Sequence, residues 1–210
     1  MPMLARRQPL NLVWGCSIRR LPGSLCAALL LALFVVFGFT GCTSFPKANR
    51  NIAFMGDSIT FLWWLPTTNL GISGNTTIQM LARFPEQVLG HGYKAVVILG
   101  GTNDARDKKI PVDTEVSTAT ANIEAMAESA EKEGMEVVLC QIPPIQGLNS
   151  RVTPLNDAIA GLAEAHHYKL VNYYSPMLGH PEYFHDGIHP DDEGYFVMQD
   201  VLTKVISLGY

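Results

Sequence analysis

Short apolar strings that alternate with helical segments are the feature of this sequence that most constrains its fold. The strings predict strands at Asn51–Met55, Ala95–Leu99, Val137–Ile142 and Lys169–Asn172. The middle two are almost wholly apolar, as strands are when both faces of a parallel sheet are covered. Helical spacing of apolar residues predicts helices at 113–133, 152–168 and 192–208. The alternation predicts one α/β domain, a three-layer α/β/α sandwich with a mostly parallel central sheet.

The amino-terminal 41 residues differ in composition from the rest of the chain. No Asp or Glu occurs from Met1 to Gly41, and an apolar run, Leu25–Phe39, leads into Thr40-Gly41-Cys42. The cations that precede this run are Arg6, Arg7, Arg19 and Arg20. A basic stretch, a short apolar run and small residues are the layout of a secretory signal, and the run is shorter than the ~18 residues of a spanning helix. We predict a signal peptide at 1–41, a segment with Cys42 and a tether at 42–50, and the folded domain at 51–210.

The string FTGC, which ends at Cys42, resembles the lipobox of bacterial lipoproteins, although Phe39 stands where Leu is usual. The resemblance implies that Cys42 is acylated and becomes the first residue of the mature protein. It also implies a location in the bacterial cell envelope, with the protein attached to the membrane by its lipid. Because Thr43 and not Asp follows the cysteine, we expect the outer membrane in a Gram-negative host. The alternatives are a secreted protein or one anchored by an uncleaved N-terminal helix.

Charge and cysteine content restrict what the folded part can do. All 19 Asp and Glu, but only 11 of the 15 Lys and Arg, follow Cys42, so this part carries a net charge of about −8. Such a balance argues against nucleic-acid binding, which favours a basic face. Of the four cysteines only Cys140 lies in the folded part, which excludes a disulfide within it and leaves no metal-binding cysteine pattern. We interpret Cys140, inside the string VVLCQI, as a buried strand thiol rather than a nucleophile.

Three polar strings follow predicted strands. GDSIT (56–60) follows the first strand, GGTND (100–104) follows AVVIL, and DGIHP (186–190) follows the last strand after a loop. In open parallel sheets the functional site lies at the carboxyl ends of the strands, near the point where strand order reverses. These three strings are therefore the candidates for chemistry.

Ser58 stands two residues past a strand, where a helix should begin, so it is either a nucleophile or a helix N-cap. Asp186 and His189 are three residues apart on a turn that contains Gly and Pro. This spacing lets the carboxylate orient one imidazole nitrogen while the other accepts a proton from a serine. The alternatives are a solvated acidic loop or a metal site. The metal site would use His185, Asp186, His189, Asp191 and Asp192, but no second cluster completes it, so we predict neither a metal nor a cofactor.

Attack of a serine nucleophile on a carbonyl group also requires donors for the negative charge that develops on the oxygen of the tetrahedral intermediate. Gly74, in NLGISGNTT, could bring a backbone N–H close because it has no side chain, and Asn103, in GGTND, could add a side-chain amide. Either residue alone could equally be an ordinary turn residue.

Taken together, the strings GDSIT, GISGNTT, GGTND and DGIHP resemble blocks one, two, three and five of the SGNH (GDSL-type) hydrolase family, in its order and approximate spacing. The similarity runs from about Asn51 to the carboxyl end, with Ile59 in place of the Leu of GDSL. It implies a flavodoxin-like α/β fold and a Ser58–His189–Asp186 triad. It also implies an oxyanion hole formed by the N–H groups of Ser58 and Gly74 and the side chain of Asn103.

The resemblance implies a serine esterase that acts through an acyl-enzyme on a small acyl-ester substrate, such as a lysophospholipid or a short-chain lipid. A carbohydrate O-acetylesterase of the cell envelope and a non-catalytic binding lipoprotein are the alternatives. The aromatic string FLWWLP follows the nucleophile and contains Phe61, Trp63 and Trp64. We expect at least one of them to pack against the domain and one Trp to be a candidate for substrate contact.

Overall fold

The computed structural model describes residues 49–208. The predicted signal peptide, the lipidation site Cys42 and most of the predicted tether lie outside the described residues. The strands are β1 Asn49–Gly56, β2 Thr67–Gly71, β3 Ala95–Leu99, β4 Glu136–Gln141 and β5 Lys169–Asn172. The helices are α1 Ser58–Leu62, α2 Thr77–Gln87, α3 Thr102–Arg106, α4 Val112–Lys132, α5 Asn149–His166, α6 Tyr174–Met177 and α7 Asp192–Val205, with a 3₁₀ turn at Pro181–Tyr183.

The five strands form one parallel sheet in the order β2-β1-β3-β4-β5. The order reverses at β1, which pairs with β2 on one side and β3 on the other. Helix α4 packs against both α2 and α5. The chain moves along the sheet in one direction from β2 to β5 and in the other from β1 to β2, so the rule of right-handed crossovers assigns α2, α4 and α5 to one face and α1 to the other. The predicted α/β/α sandwich of the flavodoxin-like kind is confirmed, and its switch point lies between β1 and β3.

The apolar strings form the core of the sheet. Every residue of β3 is buried, as are five of the six residues of β4. Cys140, in β4, is 1% exposed, and burial raises the pKa of its thiol well above the ordinary value. Its interpretation as a buried strand thiol is confirmed.

The edge strand β2 and the helix α2 were not predicted from the sequence. The β2 string, TTNLG, is polar and only partly buried, because an edge strand has a neighbour on one side alone. Helix α2 contains Pro85, which weakens a helical pattern. No bounds were predicted for the short helices α1, α3 and α6. The predicted bounds of the remaining four strands and of α4, α5 and α7 agree with the structure to within three residues. No helix within residues 49–208 is long and apolar enough to cross a membrane.

The two adjacent tryptophans have opposite environments. Trp63 is 4% exposed, stacks on Tyr195 of α7 and meets Phe54 and Tyr173 edge-to-face. Trp64 is 86% exposed. The expectation that at least one residue of FLWWLP packs against the domain is confirmed for Trp63.

Candidate active site

Ser58 is the first residue of α1, directly beyond the carboxyl end of β1, and it is 5% exposed. The turn needs glycine at position 56, because a side chain there would overlap the side chain of Thr60 and lie 2.7 Å from the carbonyl oxygen of Leu99. The N-cap of α1 is Asp57, whose Oδ1 accepts the backbone N–H of Ile59 at 2.9 Å. Ser58 is therefore not the cap residue itself, and its hydroxyl is available for another partner.

That partner is His189. Ser58 Oγ lies 2.9 Å from His189 Nε2, and His189 Nδ1 lies 2.7 Å from Asp186 Oδ2. The other carboxylate oxygen, Asp186 Oδ1, accepts the backbone N–H groups of Ile188 at 3.0 Å and His189 at 2.8 Å. The structure thus brings Ser58 into contact with His189, which lies 131 positions later in the sequence.

The charge of Asp186 determines how this chain of contacts is polarised. Partial burial raises the pKa of its carboxyl group, but hydrogen bonds from His189 and Ile188 outweigh burial and lower the pKa to about 2. The carboxylate is therefore ionised at neutral pH and can only accept. It favours the tautomer with the proton on Nδ1 of His189, so that Nε2 accepts from the Ser58 hydroxyl.

The two remaining predicted site residues lie side by side. Asn103 is in the first turn of α3, and its Nδ2 donates to the carbonyl oxygen of Asn75 at 2.9 Å. Arg106 donates to Asn103 Oδ1 at 3.2 Å, which orients the amide with its NH₂ group toward the Asn75 loop. Gly74 precedes Asn75 and has φ = 81°, a left-handed conformation that favours glycine. Asn103 thus contacts the residue that follows Gly74 in the chain.

Asp57 is a buried carboxyl group that the sequence analysis did not single out. It is 0% exposed, and its Oδ2 has no hydrogen-bond partner. Burial raises its pKa to about 6, against the opposing effects of the Ile59 N–H and the nearby Thr102 hydroxyl. The motif GDSIT places an acid beside the serine, but only the fold shows that both lie in the interior.

The loop that carries His189 does not assemble a metal site. Among residues 49–208, the one group of three His, Cys, Asp or Glu side chains close enough to share an ion is Glu124, Glu128 and His166, on α4 and α5. His185, Asp191 and Asp192 do not join the Asp186–His189 pair in such a group. Asp191 instead caps α7, accepting the N–H of Gly194 at 2.9 Å.

Two cavities border this loop and share His185. A cavity of about 390 Å³ is lined mainly by aromatic and apolar side chains, among them Trp64, Tyr195 and Phe196. A second cavity of about 620 Å³ is more polar and includes Gln146, His180 and Asp186. Of the triad candidates only Asp186 lines one of these cavities, the more polar one.

Eight large hydrophobic side chains are exposed within residues 49–208. They are Phe61, Leu62, Trp64, Ile72, Ile78, Ile110, Leu178 and Phe196. Leu62, Trp64 and Phe196 also line the cavity of about 390 Å³, which makes that cavity the candidate for contact with an apolar ligand.

The chain resembles a known protein family and several solved structures. The model of the GDSL-like Lipase/Acylhydrolase family matches residues 54–196. The chain is 31% identical to a GDSL-like lipase of Bacteroides thetaiotaomicron, covering 73% of this chain and 85% of that one, with a TM-score of 0.67. It is 25% identical to the lipase/acylhydrolase of Enterococcus faecalis, with 74% and 94% covered and a TM-score of 0.63.

An acetyl xylan esterase shares the fold at 19% identity, with 74% of this chain and 99% of that chain covered and a TM-score of 0.66. No curated protein matches the chain.

Proposed function

We propose that this chain, which belongs to the GDSL-like lipase/acylhydrolase family, hydrolyses carboxylic esters through a Ser58–His189–Asp186 triad and an acyl-enzyme. The observation that carries the proposal is the pair of contacts from Ser58 Oγ to His189 Nε2 at 2.9 Å and from His189 Nδ1 to Asp186 Oδ2 at 2.7 Å. A nucleophile, a base and a residue that orients the base are thereby within hydrogen-bond distance of one another.

In the first half-reaction, Ser58 Oγ bonds to the carbonyl carbon of the ester while its proton passes to His189 Nε2. Asp186 stays ionised and stabilises the imidazolium that forms. The tetrahedral intermediate collapses as the bond to the alcohol oxygen breaks, and His189 returns the proton to that oxygen. In the second half-reaction, water attacks the acyl-Ser58 ester and gives its proton to His189. His189 then returns the proton to Ser58 Oγ, which releases the acid and restores the serine hydroxyl.

The negative charge on the acyl oxygen needs donors throughout both steps. We assign this role to the backbone N–H groups of Ser58 and Gly74 and to Asn103 Nδ2. The assignment is supported by the contact between Asn103 and the Asn75 carbonyl, which keeps the amide group beside Gly74. One preorganised donor of this kind contributes on the order of 10²–10³ in turnover.

We propose acyl esters with a substantial apolar part, such as lysophospholipids or short-chain lipids, as the substrate class. The supporting observation is that Trp64 and Phe196 are 86% and 72% exposed and line the cavity of about 390 Å³ beside His185. Substrate contact by one of the two tryptophans stays a prediction, and we assign it to Trp64 because Trp63 is buried. The second candidate, removal of O-acetyl groups from carbohydrate, is favoured by the larger polar cavity that Gln146 and His180 line.

Covalent labelling tests the nucleophile directly. A fluorophosphonate should label the purified domain at Ser58, and Ser58→Ala should abolish both labelling and ester hydrolysis. His189→Ala should slow both by about a thousandfold. Ser117→Ala is the matched control, because Ser117 is an exposed serine of α4 that bonds only to its own helix. Equal labelling of wild type and Ser58→Ala would reject the triad, and an unreactive wild type would favour the non-catalytic binding lipoprotein.

A substrate panel then separates the two ester classes. We expect kcat/KM to rise with acyl length in a series of nitrophenyl esters from acetate to decanoate, and acetylated xylan to be a poor substrate. Trp64→Ala should reduce the advantage of the long esters and leave acetate hydrolysis unchanged. A preference for acetate together with rapid release of acetate from xylan would identify the carbohydrate O-acetylesterase instead.

A further inference from the structure

Arg83, on α2, forms hydrogen bonds with three separate segments of the chain that border the candidate site. Its Nη2 donates to the carbonyl oxygen of Gly56 at 2.8 Å, at the end of β1. Its Nη1 donates to the carbonyl oxygen of Leu70 at 2.7 Å, near the end of β2. Its Nε donates to Asn75 Oδ1 at 2.8 Å. A single guanidinium group therefore holds the ends of two strands and the loop that follows the second strand.

These three contacts lead to the groups proposed to stabilise the oxyanion. Gly56 lies two residues before Ser58, and its carbonyl oxygen also accepts the N–H of Ile72 at 3.1 Å. Asn75 follows Gly74, and its carbonyl oxygen accepts from Asn103 Nδ2 at 2.9 Å. The network thus continues from the strand that precedes the nucleophile, through Arg83 and Asn75, to Asn103.

We propose that Arg83 is a positioning residue for the oxyanion hole. It holds the loop 72–75 against the carboxyl end of β1, so that Gly74 N–H and Asn103 Nδ2 are directed toward one acyl oxygen beside Ser58. This inference rests on the proposed esterase function and assigns to Arg83 no contact with the substrate.

An arginine suits this position for a geometric reason. The three acceptors belong to different segments, and the planar guanidinium offers five N–H donors in a fixed fork that can reach all of them. A lysine would carry the same charge on one rotating ammonium group and could not reproduce the fork. Arg83 is also the only Lys or Arg between Arg50 and Lys94 in the sequence.

Positioning of this kind has a kinetic signature. A misplaced oxyanion donor weakens stabilisation of the transition state and leaves binding of the uncharged ester almost unchanged. The effect should therefore fall on kcat rather than on KM. A residue that only held α2 to the sheet would lower the melting temperature and leave kcat of the folded protein intact.

The experiment compares Arg83→Lys with Gln87→Ala in the wild-type background, using nitrophenyl butyrate. Gln87 is the matched control because its side chain also accepts from Arg83 but lies on α2, away from the loop. We expect Arg83→Lys to lower kcat by about ten- to a hundredfold, with KM within about threefold, at a temperature where both variants are folded. Gln87→Ala should keep kcat within about twofold.

A double-mutant cycle with Asn75→Ala tests the route of the effect. If Arg83 acts through the Asn75 side chain, the double variant should resemble the slower single variant, because the second change removes a contact already lost. If the fold reductions in kcat of the two single variants multiply in the double variant, Arg83 does not act through the Asn75 side chain. An unchanged kcat in Arg83→Lys would overturn the inference itself. Dependence of wild-type turnover on Ser58 is measured in parallel, so that failure of the esterase proposal is recognised separately.

Discussion

At the scale of single residues, the buried acid beside the nucleophile is the least expected feature of the site. Asp57 Oδ1 accepts the backbone N–H of Ile59, while Oδ2 has no partner at full hydrogen-bond geometry. A carboxylate without full compensation is costly in the interior, which is why burial raises the pKa of Asp57 to about 6. Its charge is therefore a source of instability at neutral pH.

The stability of Asp57→Asn should accordingly depend on pH. The pKa of Asp57 is raised from 3.8 to about 6, so the folded state favours the neutral form. The stabilising effect of the neutral group is fully present below pH ~4 and is lost as the pH rises through ~6. Asparagine is neutral at every pH. The free energy of unfolding of the variant should therefore exceed that of the wild type by up to about 3 kcal/mol at pH 7.5 and by little at pH 4.

Urea unfolding at the two pH values measures this difference, with Asp157→Asn, at an exposed position of α5, as the control that should show no such trend. If wild type and Asp57→Asn differ in free energy of unfolding by the same amount at pH 4 and pH 7.5, the pH effect cannot be assigned to Asp57.

The sequence pointed to the residues of the candidate site but not to the side chains, such as Arg83, that hold them in place. Ser58, Asp186 and His189 stand in short local strings whose residue types and spacing already suggest their chemistry. Arg83 stands in no such string, because its acceptors at Gly56, Leu70 and Asn75 are brought to it only by the folding of three separate segments. A contact between distant segments has no signature in local composition.

At the scale of elements, the end of β4 is completed by a side chain from α5. Asn156 Oδ1 accepts the N–H of Ile142 at 2.8 Å, and its Nδ2 donates to the carbonyl oxygen of Ile142 at 2.9 Å. The residue is 2% exposed. Its amide therefore pairs with the backbone beyond the last strand residue much as a neighbouring strand would.

Removal of this amide should destabilise the domain markedly. Asn156→Ala would leave the buried N–H and C=O of Ile142 without partners, each at a cost of about 1–3 kcal/mol, so we expect a loss of about 3 kcal/mol or more. Asn149→Ala is the comparison, because Asn149 accepts a single backbone N–H at 3.2 Å from a partly exposed position. Thermal and urea unfolding should show a much smaller loss for Asn149→Ala, and equal losses would refute the special role of Asn156.

The elements that were predicted correctly are those with strong apolar patterns. Strands β3 and β5 have the predicted bounds, because β3 is wholly buried and β5 is a short string between clear turns. Strand β2 has no such pattern, and it forms only because β1 offers it a free edge with which to pair. The order of the strands, which creates the site, was not predicted, because no single string encodes which strands become neighbours.

At the scale of the whole molecule, the lipid anchor predicted at Cys42 would hold the domain at a membrane surface. If Cys42 is acylated, Cys42→Ser should abolish incorporation of radioactive palmitate in a bacterial host and shift the protein out of the membrane fraction. Cys140→Ser, which changes a buried thiol of β4, should keep both the label and the location. Palmitate labelling of Cys42→Ser at the wild-type level would disprove lipidation at this site.

The contrast between Trp63 and Trp64 also gives the domain an optical property. The chain has three tryptophans, and Trp14 lies in the predicted signal peptide, so processing would leave only this pair. Their fluorescence combines a buried indole stacked 5.6 Å from the Tyr195 ring with an almost fully hydrated one. Iodide in solution would quench the hydrated indole selectively. The variant Trp64→Phe would then emit from Trp63 alone, five residues beyond Ser58, and report on the interior next to the nucleophile without an added dye.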